Sequence, residues 1–114
     1  MQPKRRLIES YFDAWVRRDW SAVAAFLAPS IHLRSPIDDF VGIDKYRERC
    51  WPLGEGLREI TLRDFFESGE TAFFNYEART DKMTFRAAEI FKIQGEKIAS
   101  IDIYWGTLPP ANSN

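Results

Sequence analysis

The chain of 114 residues has the length of one domain, since protein domains cluster at about 100–150 residues. Its 45% apolar content suits a packed core rather than a disordered chain, and 16 Lys and Arg against 17 Asp and Glu leave no net basic charge to favour nucleic acid. Aromatic residues make up 15% of the chain, a density that predicts a bulky core or an aromatic-lined pocket.

The first half of the sequence has the pattern of helices, with apolar residues recurring on one broad face of the first. Asp19 is placed to cap a second helix, which Pro29 would end. The predicted elements are, in order, helices over residues 3–18 and 20–28, a short strand over 31–34, a turn segment over 35–42 and a helix over 43–51.

The second half is rich in strand-forming residues, separated by connections short enough for hairpins. The predicted strands cover residues 59–66, 72–80, 83–93 and 97–105. Helices followed by strands predict an α+β fold, with three N-terminal helices packed on one face of a curved, mostly antiparallel sheet. Four long strands cannot close a barrel, so the helices would cover a cone-shaped sheet and leave a pocket. Residues 1–114 are expected to form one such domain, with residues 107–114 as a loose tail.

Glu89 is the one ionisable residue on the predicted inner face of its strand. Alternation places it with Phe85, Ala87, Phe91 and Ile93. A carboxylate among apolar side chains is unstable when charged, so its pKa should rise or a partner must be present. A carboxyl group kept neutral can donate a hydrogen bond to an oxyanion. The alternative is structural: a strand bulge at this position, or an ion pair with an arginine.

Tyr11 lies on the apolar face of the first helix, and its buried hydroxyl needs a hydrogen-bond partner. Glu89 is one candidate partner, and a backbone carbonyl is the other. The last strand alternates like the previous one, so Asp102 is expected on the outer face. The residues expected to bind a ligand on the pocket wall are Trp15, Phe85, Phe91, Ile101, Ile103 and Trp105.

Two further acids lie in a loop beside the expected pocket mouth, and two other polar or reactive positions carry less weight. Asp38 and Asp39 would either form the turn or supply a base. His32 has the parity opposite to its apolar neighbours, which favours a surface or subunit-contact position over a catalytic one. Cys50 is expected to pack against the sheet.

A single cysteine excludes an intrachain disulfide, and a single histidine excludes a metal site with two histidine ligands. We therefore expect no metal, and we also expect no cofactor. The N-terminal residues lack the apolar stretch of a secretory signal, and no apolar run approaches a membrane span, so we expect a cytoplasmic protein without a membrane partner. Phe73, Ile90 and Tyr104 fall on the outer face of the sheet and predict a homodimer.

Several segments together resemble a known family. They are YFDAWVRRDWSAVAAFLAP at residues 11–29, SP at 35–36, FVG at 40–42 and GEKIASIDIYWG at 95–106. In their order they resemble the SnoaL-like branch of the NTF2-like superfamily, over about residues 5–106. That superfamily includes ketosteroid isomerases, SnoaL-type polyketide cyclases, scytalone dehydratase and limonene epoxide hydrolase. The resemblance implies the cone fold, which hosts both enzymes and non-enzymes.

The resemblance also implies roles for individual residues. Tyr11 stands where the ketosteroid isomerases keep the tyrosine of the oxyanion hole, and Glu89 stands where they keep its protonated aspartic acid. Ser35 occupies the place of their general-base aspartate. A serine needs its own base to move a proton at neutral pH, so Asp38 or Asp39 would have to substitute.

Two other members of the superfamily fit less well. The dehydratase pattern fails because its paired histidines are missing and Val16 takes the place of its helix aspartate. The epoxide-hydrolase pattern fails because Asp102 has the outward parity.

The resemblance thus implies a cofactor-free enzyme that transfers a proton next to a carbonyl of a hydrophobic small molecule, by isomerisation, cyclisation or dehydration. The alternative is a non-catalytic module that binds a hydrophobic ligand or dimerises, and Ser35 favours it.

Overall fold

The computed structural model describes residues 3–107, in which three α-helices and a 3₁₀ turn accompany six strands. The helices are α1 (Pro3–Val16), α2 (Trp20–Ala25) and α3 (Ile43–Arg49), followed by the 3₁₀ turn (Trp51–Gly54). The strands are β1 (Leu27–Arg34), β2 (Asp39–Val41), β3 (Leu57–Ser68), β4 (Thr71–Thr80), β5 (Thr84–Gln94) and β6 (Lys97–Thr107). None of the helices in this part of the chain is long and apolar enough to cross a membrane.

The six strands form one open, curved sheet in the order β2-β1-β6-β5-β4-β3. Only the β1–β6 pair is parallel, and every other neighbouring pair is antiparallel. The helices supply the other layer over the inner face. This architecture confirms the predicted α+β class, with helices packed on a curved, mostly antiparallel sheet.

Strict alternation of burial along β4 and β5 defines the inner face of the sheet. Phe12 of α1 packs edge-on against Phe74 and Phe91, with ring centroids 6.2 and 5.9 Å apart. Ile8 and Tyr11 of the same helix are also buried, which confirms the apolar face predicted for α1. Burial of these large side chains is the main source of stability.

The second helix ends earlier than predicted. The Oδ1 of Asp19 accepts a hydrogen bond from the Ala22 amide at 3.1 Å, which confirms the predicted cap. The helix ends at Ala25 rather than residue 28, because Leu27 already pairs with Ile98 of β6. Pro29 lies where the register of that pairing shifts, and a proline without an amide hydrogen is tolerated there.

The segment predicted as a turn contains a strand. The Ser35 amide donates to the Asp38 carbonyl at 2.8 Å, which closes a hairpin between β1 and β2. The third helix also ends sooner than expected, at Arg49, and the chain continues through the 3₁₀ turn with Pro52 in its first positions. Thr107 is the last residue of β6, and residues 108–114 of the predicted tail lie outside the described residues.

Candidate functional site

A cavity of about 130 Å³ lies between the inner face of the sheet, the end of α1 and the 3₁₀ turn. Its buried end is formed by Tyr11, Phe12, Cys50, Tyr76 and Glu89. Half-buried apolar side chains form the walls: Trp15, Leu57, Ile60, Phe85 and Ile103. Leu53 and Trp105 are exposed and form the rim.

Glu89 is 5% exposed and lies at the closed end of this cavity. The Tyr76 hydroxyl donates a hydrogen bond to Oε2 of the carboxyl group. The other oxygen, Oε1, is buried and has no hydrogen-bond partner within residues 3–107. Burial raises the pKa of Glu89 to about 7, against the opposing effect of the Tyr76 hydrogen bond. The predicted rise in pKa is thus supported, and the carboxyl group pairs with a tyrosine rather than an arginine.

Tyr11 does not bond to Glu89, in contrast to one sequence-based expectation. Its hydroxyl shares a hydrogen bond with the hydroxyl of Tyr46 on α3. The Trp15 indole Nε1 donates to the same Tyr46 oxygen at 3.1 Å. Either hydroxyl can be the donor in this pair, and Tyr46, which accepts from Trp15, still has its own hydrogen that it can donate to Tyr11. When Tyr46 is the donor, the Tyr11 hydrogen is available to a ligand in the cavity.

The phenol groups around the carboxyl stay protonated at neutral pH. Burial raises the pKa of Tyr11 well above its usual range, and the nearby charge of Glu89 adds to the effect. The pKa of Tyr76 is raised by the same two causes. Burial likewise raises the pKa of Cys50 to about 12, so this cavity-lining thiol is not a nucleophile at neutral pH. The cavity therefore presents hydrogen-bond donors and one titrating acid.

The lining of the cavity includes neither Ser35, which stands at the place of the general base, nor its two candidate replacements. Asp38 accepts a hydrogen bond from the Arg49 guanidinium at 3.2 Å, and Asp39 pairs with His32 at 2.7 Å. The Ser35 Oγ accepts from the Ile37 amide at 3.3 Å. None of the three lines the cavity, because the β1–β2 hairpin directs them into its own turn and surface.

The predicted ligand-binding wall is divided between cavity and core. Trp15, Phe85, Ile103 and Trp105 line the cavity as expected. Phe91 and Ile101 are fully buried and do not line it. Both have the correct inward parity, but they lie further along their strands, where Tyr11 and Phe12 cover Phe91.

Tyr46 and Tyr76 were not identified from the sequence. Tyr76 had a usable signal, because the short β4–β5 hairpin places it opposite Ala87, two residues before Glu89. Tyr46 had none, because its contact with Tyr11 depends on where α3 crosses α1.

Among residues 3–107, no three His, Cys, Asp or Glu side chains cluster in a way that would hold a metal ion. Outside the cavity, most charged side chains of this part of the chain lie at the surface, many of them in ion pairs.

Solved structures with the same fold come from several bacteria. A protein from Kribbella flavida matches with a TM-score of 0.82 at 22% identity, over 89% of this chain and 84% of that one. An NTF2-like protein of unknown function from Cytophaga hutchinsonii matches with a TM-score of 0.75 at 17% identity, over 90% of this chain and 88% of that one. A candidate ketosteroid isomerase from Kribbella flavida matches with a TM-score of 0.75 at 15% identity, over 98% of this chain and 84% of that one.

At these identities the structural likeness shows the NTF2-like fold alone. No curated protein sequence matches the chain significantly. The profile of the SnoaL-like domain family matches residues 8–101, which is most of the chain. This protein therefore belongs to the SnoaL-like domain family.

Proposed function

We propose that the protein catalyses cofactor-free proton transfer next to the carbonyl of a hydrophobic small molecule, with Glu89 as the acid–base group. The observation that carries this proposal is the buried Glu89 carboxyl, with one oxygen held by Tyr76 and the other unpartnered among the described residues. A pKa of about 7 suits a group that must both take and return a proton at neutral pH.

The role of Glu89 follows from what shares the cavity with it. Asp38, Asp39 and Ser35 are engaged elsewhere, so none is placed to act as the base while Glu89 stays protonated. Glu89 is the only carboxyl group among the residues that line the cavity. We therefore assign it the proton transfer itself, and we assign the oxyanion contact to Tyr11.

The reaction balances without a further reactant. The Glu89 carboxylate removes a proton from the carbon next to the carbonyl, and the C–H electron pair forms the enolate. The enolate oxygen accepts the hydrogen bond that Tyr11 has free to donate. Glu89 then returns the proton to another carbon, which shifts the double bond. The isomerase name of one structural neighbour supports this class of reaction as an analogy.

A small unsaturated ketone tests the proposal. Conversion of 3-cyclohexen-1-one to its conjugated isomer is followed by ultraviolet absorbance. Glu89→Gln should reduce the rate by about 10²–10⁴-fold, as expected for loss of an acid–base group. Tyr11→Phe should reduce it by about 10²-fold, as expected for loss of one oxyanion donor. Glu77→Gln and Tyr104→Phe, on the outer face, are the matched controls.

The same assay separates the rival bases. Asp38→Asn, Asp39→Asn and Ser35→Ala should retain the rate, because these side chains lie outside the cavity. A large loss in any one of them, with Glu89→Gln still active, would contradict the role given to Glu89.

The second candidate function is a non-catalytic binder of hydrophobic ligands. The displacement of Ser35, Asp38 and Asp39 from the cavity favours it, because a separate base is then missing. A wild-type protein that binds phenol but leaves the ketone unchanged would establish this alternative.

We also propose that the protein forms a homodimer through the outer face of the sheet. Phe66, Phe73 and Ile90 are cross-strand neighbours on that face, and Phe66 is 65% exposed. The Phe66 and Phe73 rings lie 5.9 Å apart, and Tyr104 on β6 is 60% exposed. A contiguous apolar patch on an open sheet is a typical subunit contact.

A further inference from the structure

We infer that the cavity takes an uncharged carbonyl compound with a single ring, and that it rejects fused-ring and anionic compounds. This inference rests on the proposed function, because the carbonyl oxygen is placed at Tyr11 and the reacting carbon at Glu89. The structure supports it through the size of the cavity, the rigidity of its walls and the charge of its lining.

The size of the cavity matches one ring. Its volume is about 130 Å³, whereas an apolar protein cavity of about 150 Å³ holds one benzene molecule. Phe85 and Ile60 lie on either side of Ala78 in the sheet and both line the cavity, so a ring beyond the closed end would lie between them. A second fused ring exceeds the volume of the cavity and would have to extend past its exposed rim.

The space itself exists because small residues face it. Ala87 lies opposite Tyr76 on β4 and opposite Trp105 on β6, so three neighbouring strands leave room above it. Ala78 lies opposite Phe85 in the same way. A larger side chain at Ala87 would occupy the volume available to the ring.

The wall formed by the 3₁₀ turn cannot easily recede. A Cβ atom on Gly54 would overlap Nη1 of Arg18 and the ring of Trp15, so the turn is in tight contact with the end of α1. The Arg18 guanidinium also stacks on Trp51, with its Cζ 3.7 Å from the ring centroid. Moving the turn outward to admit a larger ligand would break this stacking.

The lining favours an uncharged ligand. Among the lining residues Glu89 is the only side chain that can be charged at neutral pH, and no cationic side chain is present. A carboxylate or phosphate brought beside Glu89 would lose its hydration without contacting a cationic side chain in the lining. An uncharged carbonyl loses less hydration and gains the hydrogen bond from Tyr11.

Calorimetric titration with matched probes tests the inference. Phenol represents the enolate of a one-ring ketone, and 2-naphthol adds a fused ring to it. Benzoate and benzamide are one-ring compounds that differ in charge, since benzoate is anionic and benzamide is neutral. The affinity for phenol should be at least about tenfold higher than that for 2-naphthol, and the affinity for benzamide at least about tenfold higher than that for benzoate.

Two pairs of variants locate the effect in the cavity. Ala87→Val should lower the affinity for phenol by about tenfold, because the valine side chain fills the space for the ring. Ala88→Val, at the next position and on the outer face, should leave the affinity unchanged. Phe85→Ala should raise the affinity for 2-naphthol relative to phenol. Phe85→Leu provides the same comparison if the alanine variant does not fold.

The outcomes separate this inference from the proposed function. Equal or tighter binding of 2-naphthol or benzoate by the wild type would overturn the inference, even if Tyr11→Phe still weakened phenol. If phenol is still preferred over 2-naphthol but neither Tyr11→Phe nor Glu89→Gln changes the affinity for phenol, the proposed function would be overturned instead. Absence of binding by every probe would overturn both.

Discussion

Tyr76 donates its hydroxyl hydrogen to Oε2 of Glu89, and no described residue bonds to Oε1 of the same carboxyl group. The two residues lie on adjacent strands, β4 and β5, whose register places Tyr76 opposite Ala87, two residues before Glu89. Tyr76 thereby holds Oε2, and in the proposed function Oε1 is the oxygen that takes and releases the proton. The two oxygens of this buried carboxyl group are therefore not equivalent.

The pKa of Glu89 predicts how stability changes with pH. The folded-state pKa is about 7 and the ordinary value is 4.5, so the folded protein holds this proton more strongly between the two values. The free energy of unfolding should therefore fall by about 3 kcal/mol as the pH rises from 4.5 to 7. Urea unfolding at pH 5 and pH 8 measures the change.

Glu89→Gln should remove most of this pH dependence, because glutamine does not titrate. Tyr11, Tyr76 and Cys50 face Glu89, but their raised pKa values keep them protonated across the same range. Glu96→Gln, in the exposed β5–β6 turn, should retain it. The same pH dependence in wild type and Glu89→Gln would refute the assignment.

Tyr76→Phe should raise the pKa of Glu89 further. The Tyr76 hydrogen bond stabilises the charged carboxylate and holds its pKa down. Losing a hydrogen bond to a charged group should shift the pKa by about 1–2 units. Carboxyl titration by NMR of labelled glutamate measures it, with Tyr104→Phe as the control. A lower or unchanged pKa in Tyr76→Phe would show that this hydrogen bond does not tune Glu89.

Arg18 occupies a backbone position that favours glycine. Its φ is 54°, and it lies at the end of α1, where the Asp19 amide donates to the Ala14 carbonyl at 3.0 Å. Glycine adopts this left-handed conformation without strain, whereas alanine does not. Arg18→Gly should therefore be more stable than Arg18→Ala by about 1 kcal/mol. Thermal unfolding of the two variants measures the difference, and a more stable Arg18→Ala would contradict it.

The outer face of the sheet predicts the oligomeric state. Light scattering at micromolar concentration should give the mass of two chains. Phe73→Lys should give the mass of one, because a buried lysine at the centre of the contact would lack a partner. Glu96→Lys should leave the dimer intact. A wild-type mass of one chain would rule out the proposed contact.

The sequence predicted the part of the site that depends on local geometry. Alternation along β5 placed Glu89 inside among apolar neighbours, because a strand has a strict period of two residues. The same rule placed Asp102 outside, where it pairs with Arg34. Parity gives the face but not the depth, which is why Phe91 and Ile101 lie in the core instead of the cavity wall.

The remainder of the site depends on contacts between distant segments. Tyr11 meets Tyr46 across 35 positions of sequence, and the position of α3 decides that contact. The parallel pairing of β1 with β6 likewise has no local pattern. It holds the β1–β2 hairpin at the far side of β6, so Asp38 and Asp39 remain outside the cavity.

The position of β6 in the strand order has a consequence for synthesis. β6 lies between β1 and β5 and hydrogen-bonds to both, yet it is the last of the described strands to leave the ribosome. Until it emerges, β1 and β5 each expose an unpaired edge, and such edges recruit other chains. Pairing that spans so much of the sequence is also slow. The nascent chain should therefore be at greatest risk of aggregation just before residues 97–107 are released.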